Sequence, residues 1–248
     1  MTRDWDAPTY DRVADPMTRW GGIVLDRLPL RGDERVLDAG CGSGRVTEQL
    51  LSRLPHGRVV ALDASAAMVA EARRRLAPFG DRVEYLVADL AAPLPIEGPV
   101  DAILSTATLH WVADHDAVFG NLAAVLRPGG RLVAQAGGPG NVRSLLEALA
   151  SVGEDYRARY NFADPETTRE RLEAAGFVDI DTWLQPEPTA FASDRELVDY
   201  LVTVIMRQLS GRPAEDLPAL AAEAARLLPG REVDYVRLNI TARRGPAA

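Results

Sequence analysis

From about residue 35 to residue 137, short aliphatic and β-branched runs alternate with stretches whose apolar positions recur every three or four residues. The runs at 35–39, 58–63, 83–88, 100–105 and 130–136 read as strands. Several are continuously apolar, as parallel strands covered on both faces must be. Between them, Val46, Leu50 and Leu54 share one helical face, and Val118, Leu122, Val125 and Leu126 share another. Arg127-Pro-Gly-Gly130 stops the second helix before the next strand. Strand and helix in strict alternation predict an α/β domain with a parallel sheet.

The flanks follow a looser pattern. Residues 1–34 are helical in character, with Trp5, Tyr10, Trp20 and Val24 as apolar anchors. Gly137, Gly138, Pro139 and Gly140 break the chain after the fifth strand. Beyond them helices are expected at 141–159, 165–175, 194–209 and 215–228, with strands at 177–184 and 234–242. The expected organisation is one domain over 1–248: an N-terminal helical segment (1–34), a ligand-binding core (35–137), and the rest of the sheet with capping helices (138–248).

Composition narrows the function classes. The 248 residues are 47% hydrophobic and 26% charged, the balance of an ordinary globular chain. A net charge of −8 argues against nucleic acid, whose phosphates require clustered Lys and Arg. The one cysteine, Cys41, excludes an internal disulfide and a four-cysteine zinc site. Three histidines, His56, His110 and His115, leave little material for a metal centre, so no metal is expected. No run approaches the ~20 apolar residues that cross a bilayer. The opening residues also lack the apolar stretch of a signal peptide. The expectation is a cytoplasmic monomer or homodimer acting on a small molecule, without nucleic acid or membrane.

The densest chemistry lies in Val36-Leu-Asp-Ala-Gly-Cys-Gly-Ser-Gly44. A strand ends at Asp38, a turn of Gly40, Gly42 and Gly44 follows, and a helix opens. Glycines accept positive φ and let a ligand approach the backbone closely. Such a turn sits at the carboxyl end of a strand, where open α/β sheets bind ligands. Arg45 stands where a dinucleotide fingerprint needs its third glycine. A carboxylate at Asp38 repels pyrophosphate but attracts a cation, and S-adenosylmethionine carries an ammonium and a sulfonium. A second strand ends at Asp63, about twenty residues on, the spacing at which a carboxylate accepts both hydroxyls of a ribose. A third ends at Asp89-Leu90, where the acid can accept from an exocyclic amine and the next N–H can donate to a ring nitrogen. Met68 follows on the next helix, either against an adenine face or in the core.

Taken in order, the 36–44 segment, Asp63, Asp89, Val100-Asp-Ala-Ile-Leu-Ser105 and Leu126-Arg-Pro-Gly-Gly-Arg-Leu132 resemble class I S-adenosylmethionine-dependent methyltransferases over roughly residues 30–137. The resemblance implies a Rossmann-like sheet of order 3-2-1-4-5-7-6, its seventh strand antiparallel and supplied by 234–242, with helices on both faces and a helical cap. It implies that Asp38 and Gly40 lie near the methionine moiety, that Asp63 binds ribose, and that Asp89 with Leu90 reads adenine. The expected cofactor contacts are completed by Tyr10, Gly42, Gly44, Ala64, Met68 and Ser105.

Ser105-Thr-Ala-Thr-Leu-His-Trp-Val112, the Trp5…Tyr10 opening, Arg207 and the closing 236–244 run are further similar to the trans-aconitate methyltransferase group, whose members methylate small carboxylic acids. Expected substrate contacts are Trp20, Trp111 and Arg207, with His110 as a base or a positioning donor. The reaction so implied is an in-line displacement onto a carboxylate oxygen. The alternatives are methylation of carbon, nitrogen or a hydroxyl in natural-product or quinone chemistry, and a non-catalytic cofactor-binding protein.

Overall fold

The structure, a computed structural model, describes residues 15–246. Seven strands form one sheet: β1 (Arg35–Ala39), β2 (Arg58–Asp63), β3 (Val83–Val87), β4 (Val100–Thr106), β5 (Leu126–Gly137), β6 (Phe177–Pro186) and β7 (Val236–Arg244). In this numbering the spatial order is 3-2-1-4-5-7-6. Strands β1 to β5 pair in parallel, and β7 enters antiparallel between β5 and β6. The helices are α1 (Asp15–Asp26), α2 (Arg45–Ser52), α3 (Ala66–Arg75), α4 (His115–Val125), α5 (Arg143–Ser151), α6 (Pro165–Ala174), α7 (Asp194–Tyr200) and α8 (Leu217–Leu227).

Alternation within each apolar run explains the layers. Val36, Val59 and Ala61 pack with Leu50, Leu51, Ala72 and Val24 on the face covered by α1, α2 and α3. Their neighbours Leu37, Val60 and Leu62 pack with Val118, Leu122 and Leu172 on the face covered by α4 and α6. A third cluster joins Trp20 of α1 to α5, α7 and α8, and forms the cap. Side-chain caps set the helix starts: Ser65 accepts from Met68 N at 3.2 Å, Asp114 from Ala117 N at 2.9 Å, and Asp164 from Thr167 N at 2.9 Å. Each such cap is worth about 1 kcal/mol. Among the described residues, no helix is long and apolar enough to cross a membrane.

Local differences from the sequence expectation have physical causes. Strand β5 begins at Leu126, because Arg127-Pro-Gly-Gly130 is absorbed as an irregularity opposite Val100–Ala102. Gly129 takes φ +75° there, and Arg127 Nε holds Asp101 Oδ1 at 2.7 Å. The helix expected over 141–159 stops at Ser151, two residues before Gly153 turns to φ +87°. Helix α7 runs on through a π-helical stretch, Leu201–Met206, whose six residues are all buried, into Arg207–Leu209. A two-stranded ribbon, Thr189–Ala190 with Glu232–Val233, was not anticipated.

Candidate functional site

The parallel pairing brings the carboxyl ends of β1, β2, β3 and β4 to one edge of the sheet. The chain leaving β1 folds over the end of β2: Gly40 N and Cys41 N both donate to the Leu62 carbonyl, at 2.8 and 2.9 Å. Asp63 then holds the turn, its Oδ2 accepting from Gly42 N at 3.0 Å and its Oδ1 from Ser65 N at 2.9 Å. Each carboxylate oxygen keeps a further lone pair for a ligand hydroxyl. Burial raises the Asp63 pKa above the ordinary carboxylate value, and the backbone N–H groups oppose that shift.

The three glycines serve different ends. A Cβ on Gly40 would lie 2.0 Å from Thr108 Oγ1, and one on Gly44 would press to 3.2 Å on Ala72. A Cβ on Gly42 would meet nothing within 4 Å. Gly42 therefore borders open space, and its φ of +53° turns the backbone along it. Beneath lies Asp38, 1% exposed, with Thr47 Oγ1 donating to Oδ2 at 2.6 Å. Its Oδ1 is buried without a hydrogen-bond partner among the described residues. Burial pushes the Asp38 carboxyl up to about 7; the Thr47 bond opposes this and the Asp63 charge adds to it. An orphaned carboxylate oxygen and a neighbouring acid are short of a cationic donor, which suits an ammonium group and disfavours a phosphate.

The other expected cofactor contacts divide. Asp89 is exposed beyond β3, accepting from Ala91 N at 2.9 Å. Leu90 is buried, and its carbonyl accepts from Asn121 Nδ2 at 2.9 Å. Ala64 is exposed at the β2 end and Met68 is buried. Ser105 is fully buried and donates to the Ala39 carbonyl at 2.7 Å, so its hydroxyl ties β4 to β1. Tyr10 lies outside the described residues.

Next to this crevice stands an aromatic wall. The 3-10 turn Leu109–Trp111 follows β4 and carries His110 and Trp111. Trp111 lies 4.8 Å from Tyr160 and 5.2 Å from His110 between ring centroids, and Tyr160 stacks on Phe162 at 5.0 Å. Gly137 N donates to His110 Nδ1 at 3.2 Å. That bond places the imidazole proton on Nε2. Burial, with the Arg237 and His115 charges, pulls the His110 pKa well below the usual imidazole value. His110 is thus a neutral imidazole whose Nδ1 accepts and whose Nε2–H donates.

Trp20 is 2% exposed and meets Tyr235 edge-on at 4.8 Å. Arg207, expected to contact the acceptor, is exposed, and the six residues of the π-helical stretch before it, 201–206, are all buried. Among the described residues the buried arginine is Arg237 on β7, 2% exposed, its guanidinium 4.9 Å from the Trp20 ring centre. Its Nε donates to Gln135 Oε1 at 3.3 Å, and Gln135 Nε2 donates to Asn239 Oδ1 at 2.8 Å. Sequence reasoning missed Arg237, Gln135, Asn239 and Tyr160. One signal was present: Arg237 and Asn239 fall on the same face of a strand whose other face is apolar (Leu238, Ile240, Ala242).

A doubly wound sheet whose carboxyl edge carries a glycine turn between two acids defines a nucleoside-binding domain of the methyltransferase type. A family described as "Methyltransferase domain" matches residues 36–130. Trans-aconitate 2-methyltransferase of Methylobacterium nodulans is 39% identical over 184 residues, 73% of this chain and 67% of that protein. The same-named protein of Methylobacterium radiotolerans is 31% identical, over 80% of this chain and 78% of its own length. That of Paracidovorax citrulli is 42% identical, but the match spans only 50% of its length.

Among solved structures, YcgJ from Bacillus subtilis superposes with a TM-score of 0.67 at 17% identity, covering 92% of this chain and 99% of that one. A Haemonchus contortus phosphoethanolamine N-methyltransferase in complex with S-adenosylhomocysteine gives 0.65 at 21%, covering 97% and 57%. The [4+2]-cyclase SpnF gives 0.62 at 20%, covering 93% and 82%. These likenesses establish the fold. The chain belongs to the class I S-adenosylmethionine-dependent methyltransferases, in the group of the trans-aconitate 2-methyltransferases.

Proposed function

We propose that this protein methylates a carboxylate oxygen of a small organic acid. The observation that carries the reading is His110: a neutral donor beside the crevice, its Nδ1 engaged by Gly137 N and its Nε2 carrying the proton. A hydroxyl or an ammonium nucleophile must lose a proton to react, and His110 offers no lone pair to take it. A carboxylate, with a pKa of ~4, reaches neutral pH already ionised.

The cofactor site fits S-adenosylmethionine on two features: the orphaned Asp38 oxygen and the open space above Gly42. When bound, S-adenosylmethionine supplies an electrophilic methyl group on a sulfonium. Asp38 and Gly40 would hold its methionine end, Asp63 the ribose hydroxyls, and Asp89 with Leu90 the adenine, bordered by Ala64 and Met68. Residues 35–137 hold the cofactor in this reading, and the N-terminal segment with 138–248 shapes the acceptor's side.

The acceptor's walls come from Trp111, Tyr160 and Trp20. Their rings exclude water, which favours a reaction in which carboxylate and sulfonium charges annihilate. Neutral donors, the His110 Nε2–H and the Trp111 indole N–H, orient the attacking carboxylate without neutralising it. The names of the relatives, trans-aconitate 2-methyltransferase, support a carboxylic acid as acceptor.

The test is incubation with S-adenosylmethionine and a panel of small acids, phenols and amines, read by mass spectrometry. A methylated acid that reverts on alkaline hydrolysis is the expected product. Methylation confined to amines, phenols or carbon would overturn the reading. Cofactor binding with no methylated product would make the chain a binding protein.

A further inference from the structure

Asparagine is a poor residue for the interior of a helix, because its side chain competes for backbone groups. Asn121 nevertheless stands inside α4, half-buried, and its amide bonds out of the helix. Its Nδ2 donates to the Leu90 carbonyl at 2.9 Å, across 31 residues of chain. A carbonyl only accepts, so the amide can face it only with its nitrogen.

The loop it reaches, residues 88–99, holds no helix or strand. Asp89–Ala92 is a hydrogen-bonded turn within it, Ala92 N donating to the Asp89 carbonyl at 3.0 Å. The middle peptide of such a turn, here between Leu90 and Ala91, is the unit that rotates: types I and II differ by its flip. Ala91 is not among the residues of positive φ, so the turn is not type II. Both polar ends of that peptide are engaged. Its N–H, on Ala91, donates to Asp89 Oδ1 at 2.9 Å, and its carbonyl, on Leu90, accepts from Asn121. The Leu90 side chain lies in the apolar cluster of Val118 and Leu122 of α4. That contact holds the loop to the helix without setting a direction; the Asn121 bond sets which way the peptide faces. The same peptide orients Asp89, whose carboxylate is tied to it through Oδ1.

We propose that Asn121 is a positioning residue for base recognition. By holding the Leu90 carbonyl it fixes the turn so that the Asp89 carboxylate and the Leu90 N–H face adenine and reject a base of opposite pattern. This rests on the adenine placement in the reading above. Asn121 touches no ligand; it acts through Leu90. Adenine presents an amine beside an acceptor nitrogen. Hypoxanthine presents an oxygen beside an N–H, so at this turn acceptor would meet acceptor and donor would meet donor.

Calorimetric titration of S-adenosylhomocysteine and S-inosylhomocysteine, which differ only at the base, tests this without turnover. The wild type should prefer the adenosyl compound by about 100-fold or more, since a site built for hydrogen bonds rejects a base that leaves them unmade. Asn121→Leu keeps the volume, favours the helix and removes the donor. It should cut the preference about 5- to 30-fold, through weaker adenosyl binding, with inosyl binding held within about threefold. Asn121→Gln, which keeps the amide on a longer stem, should recover part of the preference. Should Asn121→Leu fail to fold, Asn121→Ala carries the same comparison.

Asp89→Asn is the reference: its amide can donate to the inosyl oxygen, so it should erase most of the preference. A wild type without preference, or a preference that survives Asp89→Asn, would sink the adenine placement itself. A preference that Asp89→Asn erases and Asn121→Leu leaves intact would overturn the role of Asn121 alone. Equal losses for both compounds in Asn121→Leu would do the same, for they mark a residue that only supports the fold.

Discussion

Asp38→Asn replaces a buried, half-satisfied carboxyl by its neutral isostere, and its effect on stability should depend on pH in a fixed sense. In the folded chain the carboxyl is raised from 3.8 to about 7, burial being the main cause. The folded state therefore keeps its proton at pH values where the unfolded chain has lost it. Stability arising from this group is full below about pH 4 and drains away as pH rises through 7. With those two pKa values the loss between pH 5 and pH 8 is about 3 kcal/mol, at 1.36 kcal/mol per unit.

Asparagine does not titrate, and its amide oxygen can still accept the Thr47 hydroxyl that now donates to Oδ2. The ligand-free variant should thus gain about 3 kcal/mol on the wild type between pH 5 and pH 8, roughly 6–12 °C in Tm for a chain of this size. Unfolding of both proteins by urea and by heat across that range, without cofactor, measures it. The same substitution should weaken S-adenosylhomocysteine binding at pH 8, since a cation loses its carboxylate partner. Parallel stability curves for the two proteins would refute the argument, for they would mean that Asp38 is ionised in the folded state throughout.

Asp63→Ala should weaken cofactor binding by ~1–3 kcal/mol, the value of hydrogen bonds from neutral donors to a charged group; unchanged affinity in calorimetry would remove Asp63 from the ribose site. Gly42→Ala should fold with a penalty of about 1–2 kcal/mol for its left-handed backbone and lose cofactor affinity, because its methyl enters the open space. Gly40→Ala should instead lose stability first, its methyl colliding with Thr108. Trp111→Ala should raise the acceptor KM while leaving cofactor affinity nearly intact; equal loss of both would make it a core residue. With a saturating acid, kcat should show no ascending limb near pH 6.5, since His110 is neutral throughout. A limb there that disappears in His110→Gln would restore it as a base.

How far these residues were legible in the sequence depends on how far apart their partners stand. Asp38, Gly42 and Asp63 lie within two successive strand–helix units, and parallel crossovers deliver every strand end to the same edge. Their convergence at that edge could therefore be inferred from order and spacing. A serine at a strand end is equally at home facing a ligand or stapling a neighbouring strand. That Ser105 Oγ donates to the Ala39 carbonyl at 2.7 Å could not be read from the sequence. Arg207 was expected at the acceptor side from the resemblance, and it stands exposed at the end of a π-helical stretch whose six residues are buried.

The alternation of apolar runs with amphipathic helices determined the sheet, its layers and the acidic glycine turn at its edge, because those features follow from contacts between neighbours along the chain. The polar cluster under the cap belonged to tertiary structure alone. Trp20 of α1, Gln135 of β5 and Arg237 of β7 meet only because the last strand inserts antiparallel beside β5. No local preference marks a strand arginine as buried. Its burial is set by the helix that closes over it, more than two hundred residues earlier in the chain.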